Sequence, residues 1–318
     1  MANNLALPKG FKLNNEYVVS KKLSSGGFSV VYLAYNKKGQ PFAIKEFFPN
    51  HLHLRNKGAQ IDFINMREKH RFQEGLKAFK EETEIVMQLK HRNIIEIINF
   101  FEMNGTAYIV MPYEYRMTLS KYISYNHNNE ADLLSITEGI FSAVKMFHDN
   151  NIIHLDLKPG NIWIRPNKEA LILDFGTARI IDDPIKSQQQ PMFTPGYAAP
   201  EQHKEFFRPD SVGIWTDYYG LGTTLFALIE NKAPVPSPRL LINNEKLTIK
   251  DDRRGQYSNE LLELVEFLMQ LNIEDRKKIN LLSVIEKVKK IKPINKIELA
   301  TILINKNMLA ANSINKEN

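Results

Sequence analysis

The 318-residue chain is 43% apolar and 25% charged, the balance of an ordinary soluble globular protein with length for about two compact units. It contains no cysteine, which excludes disulfide scaffolds and thiolate-ligated zinc. The net charge of +6 is modest, and no basic stripe of the kind nucleic-acid binders carry accompanies it.

The densest basic stretch is "EKVKKIKPINK" at 286–296. Ile285, Val288 and Ile291 recur there at helical spacing, so the lysines read as a solvated helix face, and no nucleic-acid partner is expected. No apolar run approaches the roughly 20 residues of a membrane span. The N-terminus "MANNLALPKGFKLNN" has neither the apolar stretch nor the cleavage pattern of a secretory leader. A cytoplasmic location is the expectation, with a secreted effector lacking a cleaved signal as the alternative.

In chain order, residues 1–16 form an extension. "YVVSKKL" and "FSVVYLAYN", joined by a glycine-containing turn, read as a strand hairpin, and "PFAIKEFF" as a third strand. Phe72, Leu76, Phe79, Val86 and Leu89 mark a helix over 70–90. "IIEIINFFEMNGTAYIVMPY" reads as two more strands turning at Asn104-Gly105. Residues 17–113 therefore read as a five-stranded antiparallel sheet with one main helix.

Residues 114–292 are mainly helical. "DLLSITEGIFSAVKMFHDNN", "WTDYYGLGTTLFALIE" and "NELLELVEFLMQL" read as long helices, and "IWIR" and "LILDF" as short strands. The tail, 293–318, could hold one more helix and points to no role. The fold class is α+β in two lobes.

The chemistry gathers in "HLDLKPGN", residues 154–161, and in "DFG" at 174–176. Asp156, Asn161 and Asp174 offer oxygen ligands of the kind hard cations such as magnesium take alongside phosphates. Alone, each motif could be a helix cap or a turn.

Their order along the chain is more telling. "LSSGGFSVVYLA" (23–34) precedes "AIK" (43–45) and Glu82 on the expected helix; then come "HLDLKPGN", "DFG", "TPGYAAPE" (194–201) and "WTDYYGLG" (215–222). In this order the sequence resembles the protein kinase fold, specifically the eukaryotic-like serine/threonine kinases of bacteria, over about residues 17–291.

The resemblance implies a role for each matching residue. Lys45 would hold the α- and β-phosphates of ATP in an ion pair with Glu82, chosen over Glu81 and Glu84 because it lies nine residues before His91. Asp156 would accept or orient the substrate hydroxyl, Lys158 would neutralise charge at the γ-phosphate, and Asn161 and Asp174 would hold Mg2+, with Mn2+ as a substitute. Leu23, Val31 and Ala43 would roof the adenine and Trp163 would floor it. Gly26 and Gly27 belong to the phosphate loop. Met111 matches the gatekeeper position, with Pro112, Tyr113 and Glu114 as the hinge.

Thr194, Gly196 and Glu201 belong to the substrate loop, and Glu201 would pair with Arg276. Asp217 would anchor the catalytic loop, and His154 would stand beneath it. "HLHLR" (51–55) reads as a solvated loop, because two histidines without a third ligand are a poor metal site.

Two departures stand out. The glycine loop reads Ser24-Ser25-Gly26-Gly27-Phe28-Ser29, with only the middle glycine of G-x-G-x-x-G in register. Leu155 replaces the arginine that in many kinases pairs with an activation-loop phosphate, and leucine cannot make that bond. Activity is therefore expected not to depend strongly on loop phosphorylation, although Ser187 and Thr194 are candidate autophosphorylation sites. The expectation is an ATP- and Mg-dependent serine/threonine protein kinase whose protein substrate is unknown, with room for a separate regulatory partner. The alternatives are a nucleotide-binding scaffold without transfer activity and, less favoured, a small-molecule phosphotransferase.

Overall fold

The computed structural model describes residues 6–49, 54–56, 59–114, 117–125, 130–181, 190–253 and 255–293. The chain divides into two compact units, Met1–Tyr115 and Arg116–Asn318.

The first unit contains β1 (Lys12–Leu13), β2 (Tyr17–Ser25), β3 (Ser29–Tyr35), β4 (Pro41–Phe47), β5 (Leu54–Arg55), β6 (Ile61–Asp62), α1 (Met66–Met87), β7 (Asn99–Met103) and β8 (Thr106–Pro112). The main sheet has six strands, in the order β1-β2-β3-β4-β8-β7, rather than the five expected. The added strand comes from the N-terminal extension, where Lys12 pairs with Val18 and Leu13 with Tyr17. Two residues carry too little alternation to announce a strand. The strand expected from "IIEIINFF" begins only at Asn99; Ile94 and Ile95 are buried ahead of it. Asn104 and Gly105 both have positive φ, 57° and 76°, as a tight two-residue hairpin turn requires.

Helix α1 starts at Asn65, whose side chain accepts from Glu68 N at 2.9 Å. Phe72 and Phe79 pack on Phe47 with ring centroids 5.1 and 5.4 Å apart. The fit is close: a Cβ on Gly75 would lie 2.8 Å from the Phe47 ring. Strand alternation puts Ala43, Lys45 and Phe47 on one face of β4, so α1 packs on the face that carries Lys45.

The opposite face carries Tyr32, Ile44, Glu46 and Tyr108, all buried. Glu46 is fully buried and accepts from Tyr32 OH at 2.8 Å and Tyr108 OH at 2.7 Å. It also accepts two bonds from one Arg55 nitrogen, each 2.8 Å. Arg55 lies 4.5 Å above the Phe48 ring and donates to Ala59 O at 2.8 Å. Burial works against the guanidinium charge, but Glu46 outweighs it and raises the Arg55 pKa. Tyr32 OH in turn accepts from Leu7 N at 3.1 Å, which ties the extension to the same cluster. Within "HLHLR" the arginine is therefore the structural residue; His51 and His53 lie outside the described residues.

The second unit contains β9 (Met117–Thr118), α2 (Leu119–Tyr125), α3 (Glu130–Asp149), β10 (Ile152–Ile153), β11 (Ile162–Ile164), β12 (Ala170–Ile172), β13 (Arg179–Ile180), α4 (Ile214–Glu230), α5 (Ser237–Ile242), α6 (Asn259–Leu268), α7 (Ile273–Arg276) and α8 (Leu281–Lys290). Every residue of α4 from Thr216 to Glu230 is buried, so this helix is the axis of the unit. The lysines of α8 are exposed opposite buried Val284, Ile285 and Val288, as the spacing predicts. No helix among the described residues is long and apolar enough to cross a membrane. The expected tail helix lies outside the described residues.

Arg55→Met should lower stability by about 3–5 kcal/mol, because it strands a buried carboxylate. The urea midpoint of the purified protein measures this; a loss below about 1 kcal/mol would mean that the two tyrosines alone satisfy Glu46.

Candidate active site

The catalytic-loop candidates are fixed from below by Asp217 near the start of α4. Its Oδ2 accepts from His154 N at 2.8 Å and His148 Nε2 at 2.9 Å, and its Oδ1 accepts from Leu155 N at 2.8 Å. Burial alone would push the Asp217 carboxyl up; interactions with His148 and the His154 N–H outweigh it and hold the group below the usual carboxylate range. His154 is fully buried between Phe147 and Phe175, with both ring centroids 5.8 Å away. Burial lowers its pKa, so the ring sits neutral in the core.

Leu155 has φ +66° and is 4% exposed. A left-handed backbone at a non-glycine residue costs about 1–2 kcal/mol and persists only where its surroundings fix it.

Above this base, Lys158 Nζ donates to Asp156 Oδ2 at 2.6 Å and to Thr194 Oγ1 at 2.5 Å. Thr194 Oγ1 donates to Asp156 Oδ1 at 2.7 Å. Asn161 Nδ2 donates to Asp156 O at 2.9 Å and to Oδ2 at 2.8 Å. The Asn161 amide nitrogen is thus committed to Asp156, and its oxygen is the acceptor left for a cation. Register explains how Asp174 reaches the same place. Strand β11 pairs with β12, Ile162 opposite Ile172, and Leu173 N donates to Asn161 O at 3.1 Å. Residues that flank the two ends of a short hairpin are thereby brought side by side.

Two carboxylates and an amide make an all-oxygen donor set. Among the described residues no three His, Cys, Asp or Glu side chains are placed to hold a metal on their own. The set fits a hard cation that takes its remaining ligands from phosphates.

The substrate-loop candidates divide. Thr194 joins the Asp156 cluster, whereas Gly196 and Glu201 are held elsewhere. Gly196 has φ +90°, and a Cβ there would lie 2.8 Å from Pro234 O. Glu201 is 1% exposed and receives Arg276 at 2.6 and 2.5 Å, with Thr216 Oγ1 donating at 2.8 Å. Ser187 lies outside the described residues.

In the first unit, pairing aligns Val31 with Lys45 and Ala43 with Met111 across neighbouring strands, so these four side chains share one face. Leu23 lies in β2 beside a register shift, and Gly26 and Gly27 are exposed in the turn that follows. Glu82 is half-buried on α1, three residues after buried Phe79, at the edge of the helix face that packs on Phe47. Glu84 is exposed, and Glu81 lies 3.8 Å from Lys77. Trp163, in β11, pairs with Leu171 and Thr118. Tyr113 is exposed just after β8.

Two structural residues carried no sequence signal strong enough to find them: His148 on Asp217, and Gln202, whose amide reaches Leu155 O.

A protein kinase domain matches residues 17–283 of the chain. The chain belongs to the protein kinase family. The kinase domain is 34% identical over 160 residues to the probable serine/threonine-protein kinase PknB of Lactococcus lactis, covering 49% of this chain and 25% of that protein. It is 30% identical over 230 residues to the serine/threonine-protein kinase PrkC of Bacillus subtilis, covering 71% of this chain and 32% of that protein. The alignments thus span about a quarter to a third of the length of these curated relatives. The solved structure titled "PpkA-294 apo form" is similar with a TM-score of 0.77 and 29% identity, over 90% of this chain and 99% of that one. The fold is that of the protein kinases.

Asp217→Asn should destabilise the kinase domain by about 2–3 kcal/mol, because an amide cannot accept all three bonds; urea unfolding reads the loss. The lowered His154 pKa gives a sign as well. The folded ring stays neutral where the unfolded one protonates, so stability falls as pH drops below about 6.5. Between about pH 6.5 and 5, His154→Phe should give a shallower fall in urea midpoint than wild type; an identical slope would remove His154 from the effect.

Proposed function

We propose that the chain transfers the γ-phosphate of ATP to serine or threonine hydroxyls of proteins. The observation that carries this reading is Asp156, which receives Lys158 and Asn161 on one oxygen and Thr194 on the other. Such a carboxylate is oriented rather than free to rotate, as a group that takes a hydroxyl proton must be.

Each remaining residue has a part. Asn161 and Asp174 would hold magnesium, or manganese, on the phosphates; the bound metal supplies charge neutralisation there. Lys158 places a second positive charge beside Asp156. Lys45, kept with Glu82 on one side of the sheet, would hold the α- and β-phosphates. Val31, Ala43, Met111, Leu23 and Tyr113 of the first unit would contact the adenine, with Gly26 and Gly27 near the phosphates. Lys158, two residues after Asp156, favours hydroxyls of serine and threonine, and the loop from Thr194 through Gly196 to Glu201 suits a polypeptide. Substrate proteins and any separate regulatory partner follow from the same reading.

We also propose that transfer does not need a phosphate on the activation loop. Leu155 offers an incoming phosphate no positive charge, and the Thr194 hydroxyl is already bonded to Asp156 and Lys158.

Transfer of labelled phosphate from Mg-ATP to a generic basic protein tests both parts. Asp156→Asn should lower it by about 10²–10⁴-fold. Phosphatase-treated wild type and Ser187→Ala should stay within about two-fold of untreated wild type, and a loss beyond about ten-fold would refute phosphate independence. ATP binding without transfer by wild type would favour a nucleotide-binding scaffold, with Ser24 and Ser29 of the glycine loop as the first suspects.

A further inference from the structure

The peptide unit joining Leu155 to Asp156 is gripped on both edges. Its carbonyl, Leu155 O, accepts from Gln202 Nε2 at 2.8 Å. Its N–H, on Asp156, lies 3.3 Å from His154 Nδ1. Gln202 is 2% exposed, and its other amide atom is committed too: Oε1 accepts from Ala199 N at 2.9 Å. One planar side chain therefore joins the substrate loop to the peptide that carries Asp156, across 47 residues of sequence.

Its own backbone is held just as firmly. Gln202 closes the short helical turn Pro200–Gln202, next to Glu201, which Arg276 and Thr216 fix in the core. Gln202 O accepts from Gln190 Nε2 at 3.0 Å. Leu155, for its part, has a left-handed backbone that needs holding. Asp217 secures its N–H, and Gln202 is the side chain that secures its carbonyl.

We propose that Gln202 is a positioning residue: a neutral strut that keeps the substrate loop in register with Asp156 without any phosphate. This rests on the kinase reading above. The amide suits the task because it donates and accepts at once, so it satisfies the Leu155 carbonyl and the Ala199 N–H together. A strut of this kind is always in place, whereas a phosphate-dependent tie is present only after modification.

Gln202→Glu and Gln202→Met separate positioning from packing. The introduced carboxyl, when protonated, can donate to Leu155 O and accept from Ala199 N as the amide does; when ionised it cannot donate. Burial raises such a carboxyl, so its switch falls above the ordinary glutamate range. The ratio of Q202E to wild-type transfer should therefore drop about ten-fold between about pH 6 and pH 9, while affinity for ATP stays within two-fold. Q202M should be about ten-fold slower than wild type throughout that range.

Hydrogen exchange provides a readout that needs no catalysis. Amides of residues 154–158 should exchange at least about five-fold faster in Q202M, with those of α4 unchanged. If Q202M fails to fold, Q202E compared across the same pH range provides both readouts. A pH-independent Q202E ratio, Q202M transfer within two-fold of wild type, or exchange that quickens equally in α4 would overturn the proposal. If wild type itself transfers nothing, the kinase reading falls, and exchange at 154–158 decides the strut alone.

Discussion

The loop from His154 to Asn161 depends on one buried carboxylate. Asp217 takes the backbone N–H groups of His154 and Leu155 and the ring N–H of His148, three donors on two oxygens. A carboxylate in a dry core is costly unless its lone pairs are used. Here the backbone of a loop provides much of that compensation, so loop shape and charge burial support each other. The backbone that leads into Asp156 stands on this base: the neutral His154 and the left-handed Leu155, whose N–H groups Asp217 accepts.

Two other buried charges follow the same logic in different places. Glu201 with Arg276 holds the end of the 194–201 segment to the helical unit, and Glu46 with Arg55 lies on the face of the sheet opposite Lys45. Neither is strong evidence for stability, since an apolar cluster of equal volume can be as stable. Their value is geometric. In each pair one guanidinium nitrogen spans both carboxylate oxygens and other donors converge on the same acid, which narrows the arrangement; in the second unit the acid so held, Glu201, is the neighbour of Gln202.

Much of this was legible in the sequence because the chemistry is compressed into short runs. "HLDLKPGN" and "DFG" hold their acidic and amide side chains within a few residues of turns and strands whose pairing follows from local pattern. The long helices showed through periodicity, and Asn104-Gly105 through the backbone freedom it requires. What stayed hidden depends on contacts distant in sequence. Strand β1 is two residues long and exists only because β2 is beside it. Arg55 looked like part of a polar loop, and nothing local signals that Glu46 is its partner. Gln202 read as one more letter after "APE", since its meaning lies 47 residues away.

The Glu46 cluster also bears on how this chain can vary. The acid stands beside Lys45 on β4, and its donors come from β3, from β8 and from the segment after β4, with Tyr32 reaching on to Leu7 of the N-terminal extension. Length between Phe48 and Phe63 is thus not loop slack that evolution or an engineer can trim freely. Shortening it would uncover an acid beside Lys45 and invite the strand to shift toward water. A viable shorter relative would have to lose the acid in the same step, which couples insert length to the identity of residue 46.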